Sequence, residues 1–346
     1  VAGESHAGDL MRRDHTAAPG QVHRFRIDSA VLKGNLLGDP SERIVDVYVP
    51  AKHDGKGLPL LVDIVGFTAG GPSHTNWKNF GENLPERLDR LIASGAMPPC
   101  VVALPDCFTK LGGNQYINSS AMGRWDDFLL QECVPFVEKQ FGCGGAGKRG
   151  LFGKSSGAYG AIVHAMLHPD FWSAAACHSG DMAFELCYLP EFPRLLRALA
   201  KHDGSIAKWM DAFYAAPKTK DGDIHDLMTL AMCATYDPDP TAPYGLRLPV
   251  TLDTCELISQ RWANFQKWDP CLMVEKHAAG MKQMKALYID CGDADQYNLV
   301  YGARRLHRSL ESLGVTHIYE EFSDNHSSVD YRMDISLPIL AKALLT

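Results

Sequence analysis

Nowhere in its 346 residues does the chain carry an apolar run approaching the roughly 20 residues that span a bilayer, so a membrane-spanning helix is not expected. It also lacks any block of Lys or Arg. Its 34 basic side chains are outnumbered by 41 acidic ones, for a formal charge of -7, which sets nucleic acid and anionic membranes aside as partners. The ten cysteines form no C-x-x-C pair, and none of the 14 histidines joins them at zinc-finger spacing, so no metal and no cofactor is expected. Several cysteines sit inside apolar segments, where a free thiol behaves as a small hydrophobe. That pattern suits a reducing compartment, and the cytoplasm is the expected location. Residues 1–20 are small, polar and charged and lack the apolar core of a signal peptide, so they read as a loose arm. A leader removed before Val1 is compatible with the same reading. No internal repeat and no low-complexity tract appears.

What is present is alternation. Short β-branched runs alternate with helix-like stretches, the pattern of an α/β domain with a mostly parallel sheet. The opening departs from it, because 22–32 and 43–49 read as consecutive antiparallel strands joined by a turn at Gly38-Asp39-Pro40. Further strands are expected at 58–65, 100–104, 150–153, 171–177, 286–291 and 317–322. Helices are expected at 76–93, 124–141, 158–167, 298–313 and 329–345, the last with a bend at Pro338. In the second of these, Phe128, Leu129, Cys133, Phe136 and Val137 fall at the spacings of one buried face. Between about 180 and 268 the alternation stops and helical character takes over. We therefore expect 21–182 and 269–346 to form one core, with 183–268 a mainly helical cap inserted into it. Trp209, Trp262 and Trp268 are expected in the core of that cap.

Gly153-Lys154-Ser155-Ser156-Gly157 is the one G-x-S-x-G pattern in the chain. Such a pattern arises by chance often enough that its context has to carry the argument. Here an apolar strand ends immediately before it and a helix rich in small residues begins immediately after. That strand–turn–helix context is a nucleophile elbow, in which a sharp turn lifts a serine hydroxyl above the sheet edge. The alternative is an ordinary strand-to-helix turn.

A serine hydroxyl needs a base, and the base needs a carboxylate to orient it. Two loops beyond strand ends supply them: Gly292-Asp293-Ala294-Asp295 and Ser323-Asp324-Asn325-His326. In an open α/β sheet such loops converge on one face, so the expected triad is Ser155, Asp295 and His326. Asp293 is the rival acid, more suited to capping the turn. Asp290 lies within a strand, and Asp324 precedes the histidine too closely to orient its ring. Asp293-Ala294-Asp295 lacks the further oxygen ligands and terminal Glu of a calcium loop, and Asp221-Gly222-Asp223 with His225 and Asp226 reads as a solvated loop of the cap rather than a metal site. Gly66, His178 and Ser179 are candidates to line the pocket.

These stretches resemble a known family. Leu60-Leu61-Val62-Asp63-Ile64-Val65-Gly66-Phe67, Trp125-Asp126-Asp127-Phe128, Val134-Pro135-Phe136-Val137-Glu138-Lys139, the elbow, Tyr288-Ile289-Asp290-Cys291-Gly292 and His326 occur in the order found in the α/β-hydrolases called Putative esterase. That family includes esterase D (S-formylglutathione hydrolase), feruloyl esterases, enterochelin esterases and mycolyltransferases. The resemblance implies an α/β-hydrolase fold, Ser155 as nucleophile, Asp295 as acid and His326 as base. It also implies an oxyanion hole made by the backbone N–H groups of Phe67 and Ser156. Two positions depart from the common pattern: Ser156-Gly157-Ala158 stands where many members have Met–Gly–Gly, and Asn325 stands where many have Gly.

The expected activity is hydrolysis of a small-molecule carboxylic ester through an acyl-enzyme. Acyl transfer, S-formylglutathione-type thioester hydrolysis, and a non-catalytic binding protein on a hydrolase scaffold are the competing readings.

Overall fold

The computed structural model describes residues 16–346, so most of the expected N-terminal arm lies outside the described residues. The first strands, β1 (Gln21–Asp28) and β2 (Glu42–Val49), pair antiparallel. There follow β3 (Leu60–Ile64), α1 (Leu84–Ala93), β4 (Val101–Pro105) and a small ladder of β5 (Asn118–Ser119) with β6 (Gly123–Arg124). The chain continues through α2 (Trp125–Asp127), α3 (Val134–Phe141), β7 (Arg149–Lys154), α4 (Ser156–Leu167) and β8 (Ala174–His178). A long helical stretch comes next: α5 (Phe184–Cys187), α6 (Phe192–Ala200), α7 (Ile206–Ala215), α8 (Asp223–Tyr236), α9 (Ser259–Gln266) and α10 (Pro270–Met281). The chain returns to the sheet with β9 (Ala286–Gly292), α11 (Leu299–Leu313), β10 (Ile318–Phe322) and α12 (Met333–Ala343). Trp209 and Trp262 are buried within the helical stretch.

One eight-stranded sheet orders these strands β1-β2-β4-β3-β7-β8-β9-β10. β2 meets β4 antiparallel, and from β4 to β10 every neighbour is parallel. The period of two along each strand creates two apolar faces. Leu60, Val62 and Ile64 share one core with Leu151, Ala175 and Ile289, under α3, α4, α10 and α11. Leu61, Val102, Phe152, Ala176 and Tyr288 share the other, under α1 and α12. Both faces are covered, which is why the central strands read as unbroken apolar runs. α4 is buried along nearly its whole length, and its apolar, small-residue composition reflects that.

Several elements differ from expectation. The helix expected at 76–93 begins only at Leu84, because Asn83 and Glu86 form a reciprocal capping box and Pro85 fits only the first turn. The helix expected at 124–141 widens into a π-helical stretch at Phe128–Cys133. Pro135 follows directly and has no N–H to return to the preceding turn. β8 begins at Ala174 rather than 171, since Phe171 and Trp172 donate their N–H groups to His168 O in a turn.

His178 and Ser179 do not line the pocket, a correction to the sequence reading. Strand alternation sends His178 to the face of Ala174 and Ala176, toward α12. There its Nδ1 meets Asp290 Oδ1 at 2.7 Å and its Nε2 meets Ser336 Oγ at 2.8 Å. Arg332 Nε donates to the other oxygen of Asp290 at 2.8 Å, and Tyr288 OH donates to it at 3.0 Å. Ser179 is fully buried and its N–H is used by Asp290 O at 2.8 Å.

Burial alone would push the Asp290 carboxyl up, but His178 and Arg332 more than offset it and hold it below its usual range. A depressed carboxylate stabilises the fold above its unfolded-state pKa of about 3.9 and loses that contribution as pH falls through the lower folded value. Asp290→Asn should therefore cost about 1–3 kcal/mol at neutral pH, by weakening the bonds to His178 and Arg332 while Arg332 keeps Glu320, and should flatten the acid limb of stability against pH. Denaturant melts of both chains from pH 7 down to 3 check this; parallel curves would contradict it.

Candidate active site

β7 delivers Ser155 into a conformation that a serine adopts only under constraint, with φ 56° and ψ -124°. Strain of this kind costs roughly 1–3 kcal/mol and persists only where the surroundings over-determine it. The surroundings here are backbone. Ser155 N donates to His178 O at 3.0 Å on the neighbouring strand, and Tyr159 N closes the first helical turn onto Ser155 O at 2.9 Å. The flanking glycines let β3 approach. A methyl group built on Gly153 would lie 2.2 Å from Ile64 O, and one on Gly157 only 1.9 Å from it.

Ser155 and His326 open onto one cavity of about 310 Å³ at the carboxyl ends of the parallel strands. His326 Nδ1 meets Asp295 Oδ2 at 2.8 Å, and the imidazole packs edge-on against Tyr297 with centroids 4.9 Å apart. The Asp295 side chain is fully buried, and its second oxygen accepts the Tyr297 N–H at 2.9 Å. Its rivals are engaged elsewhere on the surface: Asp293 accepts from Ser323 Oγ at 3.1 Å, and Asp324 accepts from Tyr331 OH at 3.0 Å. No hydrogen bond joins His326 Nε2 to Ser155 Oγ among the described residues, a contact that commonly tightens only with substrate bound.

Gly66 and Phe67 form the cavity wall beside the elbow. The turn is tied by Thr68 N to Gly112 O at 2.8 Å and by Ala69 N to Gly66 O at 3.3 Å. The Phe67 N–H has no acceptor among the described residues. Ser156 opens α4, where first-turn N–H groups lack intrahelical partners. Ile224 and Met228 of α8 bring apolar side chains into the same cavity from the long helical stretch.

Several cavity groups escaped the sequence reading. Asp181, just past β8, is buried with Oδ2 taking Tyr188 OH at 2.9 Å and Gln115 Nε2 at 3.1 Å; burial pushes its carboxyl up. His74, Lys154, Asp330 and His225 also line the wall. His225 stands in the first turn of α8 rather than in the solvated loop that the sequence suggests. The available signals were Lys154 inside the elbow motif and Asp63, a carboxylate inside an otherwise apolar strand.

Away from the cavity, Asp126, His164 and His168 cluster closely enough to suggest metal ligands. His164 is not free to bind one: its Nδ1 accepts from Trp172 Nε1 at 3.1 Å and its Nε2 bonds Tyr116 O at 2.8 Å. All ten cysteines are free thiols, eight of them buried.

Because the elbow depends on backbone approach, Gly157→Ala should cost about 3 kcal/mol or more, lowering Tm by roughly 4 °C or more. Scanning calorimetry checks it; an unchanged Tm would show that β3 can yield.

A ferulic acid esterase matches with a TM-score of 0.60 and 18% identity, over 94% of this chain and 99% of its own. An S-formylglutathione hydrolase from Agrobacterium tumefaciens matches with a TM-score of 0.59 and 16% identity, over 97% and 99%. FphF, a fluorophosphonate-binding serine hydrolase of Staphylococcus aureus, matches with a TM-score of 0.55 and 15% identity, over 94% and 99%. At such identities the likeness establishes the α/β-hydrolase fold. No curated protein matches by sequence. The Putative esterase family model, however, matches residues 40–337, and the chain therefore belongs to that family.

Proposed function

We propose that this esterase hydrolyses small carboxylic esters through an acyl-enzyme on Ser155, with His326 as general base and Asp295 as its orienting acid. The observation that carries the reading is the strained Ser155 elbow sharing a cavity with an imidazole whose Nδ1 is held by a buried carboxylate at 2.8 Å. His326 takes the Ser155 proton as Oγ attacks the carbonyl, and later gives it to the leaving alcohol. Asp295 selects the tautomer with Nε2 toward the serine and stabilises the imidazolium. Water then attacks the acyl-enzyme with His326 again as base.

The developing oxyanion falls to the Phe67 and Ser156 N–H groups. Each such donor contributes about 2.7–4 kcal/mol in related chemistry. Residues 183–268 act as a cap in this reading, with Ile224 and Met228 as an apolar wall against the acyl or alcohol group. A cavity of about 310 Å³ sits at the small end of ligand pockets, which favours short substrates.

p-Nitrophenyl acetate and butyrate should outpace the octanoate and palmitate in kcat/KM, and Ser155→Ala should lower kcat by at least about 10³-fold. Near-normal turnover in Ser155→Ala would remove the nucleophile assignment, and a preference for palmitate would remove the small-pocket reading. Activity confined to thioesters would move the protein toward S-formylglutathione-type chemistry. A folded chain inert to all of them would leave a binding protein.

A further inference from the structure

Most charged groups around the cavity are paired; Asp181, bonded to Tyr188 and Gln115, has its carboxyl pushed up by burial, and among the described residues Lys154 is the cation left over. Asp295 is paired with His326, Asp330 with Lys78 at 2.9 Å, and Asp63 with His74 Nδ1 at 2.5 Å. Lys154, immediately before Ser155 at the end of β7, lines the cavity and has no carboxylate within salt-bridge reach and no hydrogen-bond acceptor among the described residues. Burial lowers its pKa, and the fields of Asp330 and Asp295 offset only part of that. An ammonium kept partly desolvated and unpaired beside a nucleophile is unfavourable by itself. It becomes favourable when a ligand brings the missing negative charge.

His74 stands in the same wall. Asp63, fully buried in β3, holds its Nδ1, which leaves Nε2 with no partner among the described residues. Burial would pull this imidazole down, but the Asp63 carboxylate more than offsets that and raises its pKa, favouring the form in which Nε2 carries a proton. Asp63 interrupts the apolar β3 run, and the contact it makes there is the one that orients a cavity histidine. Ile224, Met228 and Leu299 line the cavity as apolar surface.

We propose that Lys154 is a specificity-determining residue whose ammonium, with His74 Nε2–H as second donor, receives a carboxylate carried by the ester substrate. The preferred substrates are then half-esters of short dicarboxylic acids or esters of carboxylate-bearing alcohols. The inference rests on the esterase reading of Ser155 for the ester, but the carboxylate site stands or falls separately.

Two matched pairs test it. Monomethyl succinate against methyl butyrate places the charge on the acyl side; 3-carboxyphenyl butyrate against phenyl butyrate places it on the alcohol side. One acid ester should exceed its neutral partner by about tenfold or more in kcat/KM, and Lys154→Met should erase that ratio while Lys154→Arg retains most of it. The neutral ester is the internal control, since general damage lowers both members of a pair. Should Lys154→Met fail to fold, His74→Gln should still reduce the ratio. Calorimetric binding of succinate to the wild-type chain requires no turnover. If no ester is hydrolysed but succinate binds and Lys154→Met weakens it about tenfold or more, the carboxylate site stands and the esterase chemistry falls. Wild-type preference for both neutral esters, or a ratio unchanged in Lys154→Met, overturns the proposal, as does absence of succinate binding.

Discussion

The close passage of β3 against the turn between β7 and α4 is the constraint on which the rest of the molecule depends. Ile64 O lies where a Cβ on either Gly153 or Gly157 would have to go, so only glycine lets the strand and helix come together. That approach forces Ser155 to a positive φ and sets the cavity at the carboxyl end of the sheet. The same approach places Gly66 and Phe67, which follow β3 directly, beside the elbow. In the proposed mechanism the oxyanion site is thus a consequence of how two strands pack, and its donors need no reorganisation when charge develops.

Electrostatics then divide the buried histidines by role. His178, His164 and His326 are all buried, yet only His326 opens onto the cavity. His178 is locked between Asp290 and Ser336 on the far face, and both nitrogens of His164 are engaged by Trp172 and Tyr116. Buried polar groups with every valence used hold the fold together; those with one position left open to a cavity are available for chemistry or recognition. His326 meets that description and the half-buried His74 shares its arrangement, each anchored through Nδ1 by an aspartate.

The sheet and the site were legible in the sequence to different depths. The strand order along the chain, the antiparallel opening and the elbow could be read because β-branched runs, turn residues and G-x-S-x-G are local signals. Asp295 could be preferred over Asp293 because Asp293 suits a turn cap, and it is Asp295 that reaches His326. Which face a strand's last residue takes was harder: His178 sits next to the elbow in the sheet, but alternation turns it toward α12. α1 starts later than the sequence suggested because Gly81 takes a φ of 77° and the Asn83–Glu86 box, a reciprocal side-chain contact, sets the first turn. His74, Asp63 and Lys154 come together across distant segments, so no pattern along the chain could have joined them.

The claim that binds these parts is that Ser155 is an activated nucleophile rather than a strained bystander. Incubating the folded protein with a fluorophosphonate and mapping the modified peptide by mass spectrometry tests it without assuming a substrate. The account predicts one adduct, on Ser155, formed much more slowly in His326→Ala. Absence of labelling in a folded wild-type chain, or an adduct on another residue with Ser155 untouched, would contradict it.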